Sequence, residues 1–127
     1  MEIRVYYEDT DCGGVVYYAN YLKYFERART EFVRKRGKPF SDYIEKGIGF
    51  VVVRAEVDYR FPAKYDDVLD ITTTVSNITG ASFVMEYSVH RKVDQRLVVS
   101  GMTKLACINK DGKPIRIPDN LVNTLSN

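Results

Sequence analysis

Two periods divide this sequence, and their order limits what it can fold into. From Asn20 to Arg36 apolar side chains return at helical spacing: Tyr21, Phe25, Ala28 and Phe32 form a stripe, with Leu22, Arg29 and Arg36 on neighbouring positions. From residue 51 onward the period is two. Val51, Val53, Ala55, Val57, Tyr59 and Phe61 alternate with Arg54, Glu56, Asp58 and Arg60. Leu69, Ile71, Thr73 and Val75 alternate with Asp70, Thr72, Thr74 and Ser76, and Phe83, Met85, Tyr87 and Val89 alternate with Val84, Glu86, Ser88 and His90. Residues 97–108 are apolar on both faces, which predicts a strand covered on both sides. A single stripe of this kind buries against a sheet, and strands joined by short turns pair antiparallel. The pattern therefore predicts an α+β fold, with one long helix on one face of an antiparallel sheet. A short strand at residues 3–7 must join that sheet. No second helix is expected on the opposite face, which is left for solvent or for association with another copy.

Local signals mark the ends of these elements. Asn20 is the expected N-cap of the helix, Gly37 its C′ residue, and Arg34, Lys35 and Arg36 suit the negative end of its dipole. Glu31 and Lys35 are spaced for an i,i+4 pair. A short second helix is expected over residues 41–46, closed by Gly47. Turns are expected at Phe61-Pro62-Ala63, residues 77–80, Asp94-Gln95 and Lys110-Asp111-Gly112.

Composition removes several functional classes. The chain has 127 residues, the size of one domain spanning 1–127. Its 19 basic and 17 acidic residues leave a net charge of +2, and the two signs are interspersed, unlike the basic stripe of a nucleic-acid binder. No run reaches the ~18 apolar residues of a membrane span, and the N-terminus carries no signal-peptide pattern, so residence in the cytoplasm is the expectation. Cys12 and Cys107 form no paired motif, and with His90 as the only histidine they offer neither a disulfide scaffold nor a metal site. No cofactor is called for.

The chemistry is expected between the first strand and the long helix, in Arg4-Val5-Tyr6-Tyr7-Glu8-Asp9-Thr10-Asp11-Cys12-Gly13-Gly14-Val15-Val16-Tyr17-Tyr18-Ala19-Asn20-Tyr21. Carboxylates before a helix N-terminus ordinarily serve turns and caps. Here two glycines allow backbone to approach a ligand closely, and Val15-Val16-Tyr17-Tyr18 is too apolar for an ordinary exposed turn, so the carboxylates should adjoin an apolar cleft. Asp9 and Asp11 both remain candidates on these grounds. Cys12 has no histidine in its motif and is expected to be a small buried residue, and His90 to be a packed or solvated strand residue.

The pattern Arg4-Val5, four residues, Thr10-Asp11, two residues, Gly14-Val15-Val16-Tyr17-Tyr18, one residue, Asn20-Tyr21 resembles the active-site signature of the 4-hydroxybenzoyl-CoA thioesterase family, and within it the YbgC-like acyl-CoA thioesterases. Tyr59-Arg60-Phe61-Pro62-Ala63, Tyr65-Asp66-Asp67, Ala81-Ser82-Phe83 and Asp111-Gly112-Lys113-Pro114 extend the resemblance over nearly the whole chain. It implies the hotdog fold, a long helix wrapped by a curved antiparallel sheet, and a homodimer or homotetramer with active sites at subunit interfaces. It also implies hydrolysis of an acyl-CoA substrate to a free acid and CoA. Asp11 matches the catalytic aspartate, acting as general base or nucleophile. Tyr18 matches the residue whose backbone N–H, at the start of the helix, polarises the thioester carbonyl. Gly14, Val15, Tyr17, Asn20 and Tyr21 fall in the substrate-binding part of the motif. Many YbgC-like members carry His where this chain has Tyr18, so an imidazole contribution is excluded while the backbone role survives. The motif starts the helix at Tyr18, two residues before the expected cap.

Two other readings fit the fold. A dehydratase acting on hydroxyacyl thioesters needs a histidine base that this turn lacks. A non-catalytic acyl-thioester binding module or scaffold gains nothing from a carboxylate at position 11. Thioesters of acyl carrier protein remain an alternative substrate, and acyl preference is set by packing that sequence does not specify. Arg60, Lys64, Arg91, Lys92, Lys104, Lys113 and Arg116 are all candidates to meet the CoA phosphates.

Overall fold

A computed structural model describes all residues, 1–127. Five strands form one antiparallel sheet: β1 (Glu2–Arg4), β2 (Gly49–Tyr59), β3 (Val68–Ile78), β4 (Ser82–Arg91) and β5 (Arg96–Ile108), in the order β1-β3-β4-β5-β2. The first strand joins the sheet as expected, through Ile3 opposite Leu69. Beside the sheet lie α1 (Asn20–Arg36), α2 (Phe40–Glu45) and α3 (Asp119–Ser126). Helix α3, which packs against α1 and β3, is an element that no sequence signal above predicts.

The long helix has the bounds that its periodicity predicts, and its inward face is Tyr21, Tyr24, Phe25, Ala28 and Val33. Phe32 sits at the margin of that face, under the Arg36 guanidinium at 3.9 Å. The sheet answers with Leu69 and Ile71, with all four alternating residues of β4 (Phe83, Met85, Tyr87 and Val89), and with Val98, Val99, Leu105 and Cys107 of β5. Phe25 stacks on Tyr87 with centroids 4.3 Å apart and planes 5° from parallel. The Tyr87 hydroxyl is satisfied by Thr103 Oγ1 at 2.7 Å, so this buried polar atom costs the core little.

Several expectations need correction. The N-cap position is Ala19, with no side-chain cap, because the Asn20 side chain turns into the interior. Glu31 pairs with Arg34, three residues on, rather than with Lys35. Gly37 has an extended φ of −178° and no left-handed geometry. Glycine is required there because a Cβ would collide with Thr124 of α3. Gly47 does end α2 with a left-handed φ of +85°. Only part of the apolar face of β2 meets the core: Phe50 and Val57 pack against it, but Val51, Val52 and Val53 are all exposed. A bulge between Val52 and Arg54 breaks the alternation, and β2 is an edge strand paired only with β5. Nor is β5 covered on both sides, since from Thr103 its buried residues alternate with half-buried ones. No helix is long and apolar enough to cross a membrane.

Candidate active site

Between β1 and α1 the chain makes a 3-10 turn at Tyr7–Asp9 and then a tight loop that carries the motif. Buried Val5 anchors its entry, with hydrogen bonds to Asp66 and Asp67, and buried Val16 anchors its exit, donating to the Ala63 carbonyl at 2.8 Å. Thr10 bridges to Val16 and Val15 to Lys64, which ties the loop to the segment after β2. The loop reverses at Gly14, whose φ of +81° suits glycine.

The rival carboxylates are placed very differently. Asp9 is 8% exposed. Its Oδ2 accepts the Tyr6 N–H at 2.8 Å, and its carbonyl accepts the Tyr17 N–H at 2.9 Å. Asp9 therefore holds the loop's two arms together. Asp11 is exposed, and only its Oδ1 is engaged, by the Gly13 N–H at 2.8 Å, which leaves Oδ2 without a partner. Gly13 permits this close approach, since a Cβ there would lie 3.1 Å from Oδ1. Asp9→Asn should cost about 1 kcal/mol of stability, the amide still being able to accept from Tyr6, and lower kcat by less than about tenfold. Urea unfolding and steady-state assays check this; a loss larger than that of Asp11→Asn would transfer the catalytic role to Asp9.

Toward the helix, the Tyr17 carbonyl accepts the Asn20 N–H at 2.8 Å, and the Tyr18 carbonyl accepts the Tyr59 hydroxyl at 2.8 Å. The N–H groups of Tyr18 and Ala19 have no acceptor in the protomer. Gly14, Tyr17 and Tyr18 are exposed and Val15 is half-buried, whereas Asn20 and Tyr21 lie in the interior behind the loop. Burial raises the Tyr21 phenol to about 12. Burial first, and the neighbouring Asp9 carboxylate second, also raise the Tyr24 phenol well above its ordinary value. Cys12, expected to be buried, is exposed; Cys107 is buried, and its thiol is pushed up to about 11. His90 is on β4 opposite Asp70, outside the loop. Of the basic candidates, Arg91 pairs with Asp94 and Lys92 with Glu2.

Exposed aromatic rings surround the loop. Tyr17 lies against Tyr18 at 4.7 Å, Tyr18 meets Tyr59 edge-on, and Tyr7 meets Tyr65 edge-on. Two cavities of about 280 Å³ occur in the protomer, one lined by residues of α1, α2, β2 and β5, the other by Ile3, Arg4, Tyr6, Glu8, Asp9 and Arg27. Neither is lined by Asp11 or Tyr18, which with Tyr17 are exposed on the outer surface of the protomer.

A sequence model of the thioesterase-like superfamily matches residues 5–125. The chain belongs to this superfamily. It is 43% identical to the acyl-CoA thioesterase YbgC of Haemophilus influenzae over 119 residues, covering 91% of this chain and 85% of that protein. It is 36% identical to the acyl-CoA thioester hydrolase YbgC of Escherichia coli O6:H1, covering 94% and 90% of the two chains. A crystal structure of a hypothetical protein from Aquifex aeolicus superposes with a TM-score of 0.93 at 31% identity, covering 98% and 97% of the two chains. The sheet with α1 across it is the hotdog fold of these thioesterases. Within the motif of this thioesterase, sequence reasoning missed one polar contact, that of Tyr59 with the Tyr18 carbonyl. Its signals were a tyrosine at the last position of a strand and its place in the Tyr59-Arg60-Phe61-Pro62-Ala63 block of the resemblance.

Proposed function

We propose that this thioesterase hydrolyses acyl-CoA to a free acid and CoA through Asp11 and the Tyr18 N–H. The observation that carries the reading is the division of hydrogen bonds in the loop. Asp11 Oδ2 and the N–H groups of Tyr18 and Ala19 have no partner in the protomer, whereas the rival carboxylate, Asp9, is buried and accepts the Tyr6 N–H at 2.8 Å. The thioester carbonyl oxygen accepts the Tyr18 N–H, and Asp11 either takes a proton from the attacking water or bonds to the carbonyl carbon itself. Both routes place negative charge on that oxygen before the C–S bond breaks and CoA leaves as a thiolate, which takes up the proton released from water. On the second route that water hydrolyses the acyl–Asp11 anhydride, freeing the acid and restoring the carboxylate. A preorganised N–H donor typically contributes about 10²–10³-fold in rate. Gly14, Val15 and Tyr17 face the substrate, with Asn20 and Tyr21 supporting them from behind. Lys64, whose backbone pairs with Val15, is the basic side chain assigned to the CoA phosphates.

The site is completed by a second copy of the chain. The outward-facing loop, its exposed rings, and the exposed Val51, Val52 and Val53 on edge strand β2 form the kind of apolar surface that association covers. Steady-state hydrolysis of short, long and aromatic acyl-CoAs tests the function: turnover on at least one is expected, and turnover on none would favour a binding module. Sedimentation equilibrium should return a multiple of the 14.6 kDa protomer.

A further inference from the structure

We infer that the Ala19 N–H joins the Tyr18 N–H in polarising the thioester carbonyl, and that Tyr59 is its positioning residue, acting through the hydrogen bond its hydroxyl donates to the Tyr18 carbonyl. The inference rests on the role proposed for Tyr18 and extends it to the end of β2, 41 positions along the chain. A trans peptide unit is planar, with its C=O and N–H pointing in opposite directions, so fixing the carbonyl fixes the N–H. Two consecutive units are held in this way. The Tyr17 carbonyl accepts from Asn20 N–H at 2.8 Å, which directs the Tyr18 N–H, and the Tyr18 carbonyl accepts from Tyr59 at 2.8 Å, which directs the Ala19 N–H. Both N–H groups are thereby left pointing away from protein acceptors. Tyr59 is the only protein donor to the Tyr18 carbonyl.

Tyr59 is itself well placed to hold a peptide still. Its backbone is in register with the buried Val99 of β5, and its ring meets Tyr21 and Tyr18 edge-on at 5.9 and 6.5 Å. The residue is 51% exposed, so its hydroxyl has no burial cost to relieve and adds little to stability.

Tyr59→Phe, which keeps the ring and removes the hydrogen bond, should lower kcat about 3–10-fold with KM and thermal midpoint unchanged. A second readout is the infrared band of a 13C-labelled thioester carbonyl bound to Asp11→Asn protein. Adding Tyr59→Phe should move that band back toward its position in solution. Tyr43→Phe, which removes a phenol of α2 with no hydrogen-bond partner and away from the loop, should leave both readouts unchanged. Wild-type kcat with an unmoved band would overturn the inference, as would a rise in KM alone. If Asp11→Asn itself keeps wild-type kcat, the catalytic assignment fails separately, and kcat of Tyr59→Phe in the otherwise native protein still decides the role of Tyr59.

Discussion

Asp11→Asn should lower kcat on an acyl-CoA substrate by about 10²–10⁴-fold, the range carried by a positioned base, with folding and KM close to those of the native protein. The substitution isolates charge from structure. The Asp11 side chain is exposed, and its one internal contact is Oδ1 accepting the Gly13 N–H at 2.8 Å. An asparagine oxygen accepts that same bond, so the turn through Gly13 and Gly14 persists while the oxygen that is free in the native loop becomes an amide nitrogen. The nitrogen neither takes a proton from water nor attacks a carbonyl, so the general-base and nucleophilic routes predict the same loss. Single-turnover kinetics with one good substrate, compared with the thermal midpoint, checks the result. Near-native kcat would remove Asp11 from the mechanism.

Sequence legibility followed the range over which each feature is determined. The bounds of α1 were readable because a five-turn amphipathic stripe and its basic C-terminal turn agree, and β4 was readable because Phe83, Met85, Tyr87 and Val89 all turn inward. The motif at residues 4–21 is contiguous, so its register could be read directly. What failed depended on distant partners. Alternation in β2 shows which side chains share a face, yet the bulge at Val53 and the edge position decide that part of this apolar face is uncovered in the protomer. Helix α3 is eight residues long, too short for its spacing of Leu121 and Leu125 to stand out. Gly37 has the sequence context of a helix stop, but its contact is with Thr124 of α3, which the local sequence does not show. Within the candidate site, Tyr59 reaches Tyr18 only because β2 ends beside the start of α1.

The largest effect on stability is expected at the seat of α1 on the sheet, where Phe25→Ala should cost about 3–5 kcal/mol. Phe25 is fully buried and stacks on Tyr87, which Thr103 holds in place, so the surroundings have little freedom to collapse into the space. Gly101 of β5 lies under the same ring: a Cβ there would stand 2.7 Å from Phe25 Cε2 and 2.7 Å from the Glu56 carbonyl oxygen. Gly101→Ala should therefore destabilise by overpacking, by about 1–3 kcal/mol. The two changes share one volume and should not add. Removing the ring relieves the first clash and leaves the second, because Glu56 presents backbone paired to β5. The double variant is expected to be more stable than the sum of the singles by about 0.5–3 kcal/mol. Urea unfolding of all four proteins at one protein concentration closes the cycle, and strict additivity would show that Phe25 does not rest on Gly101.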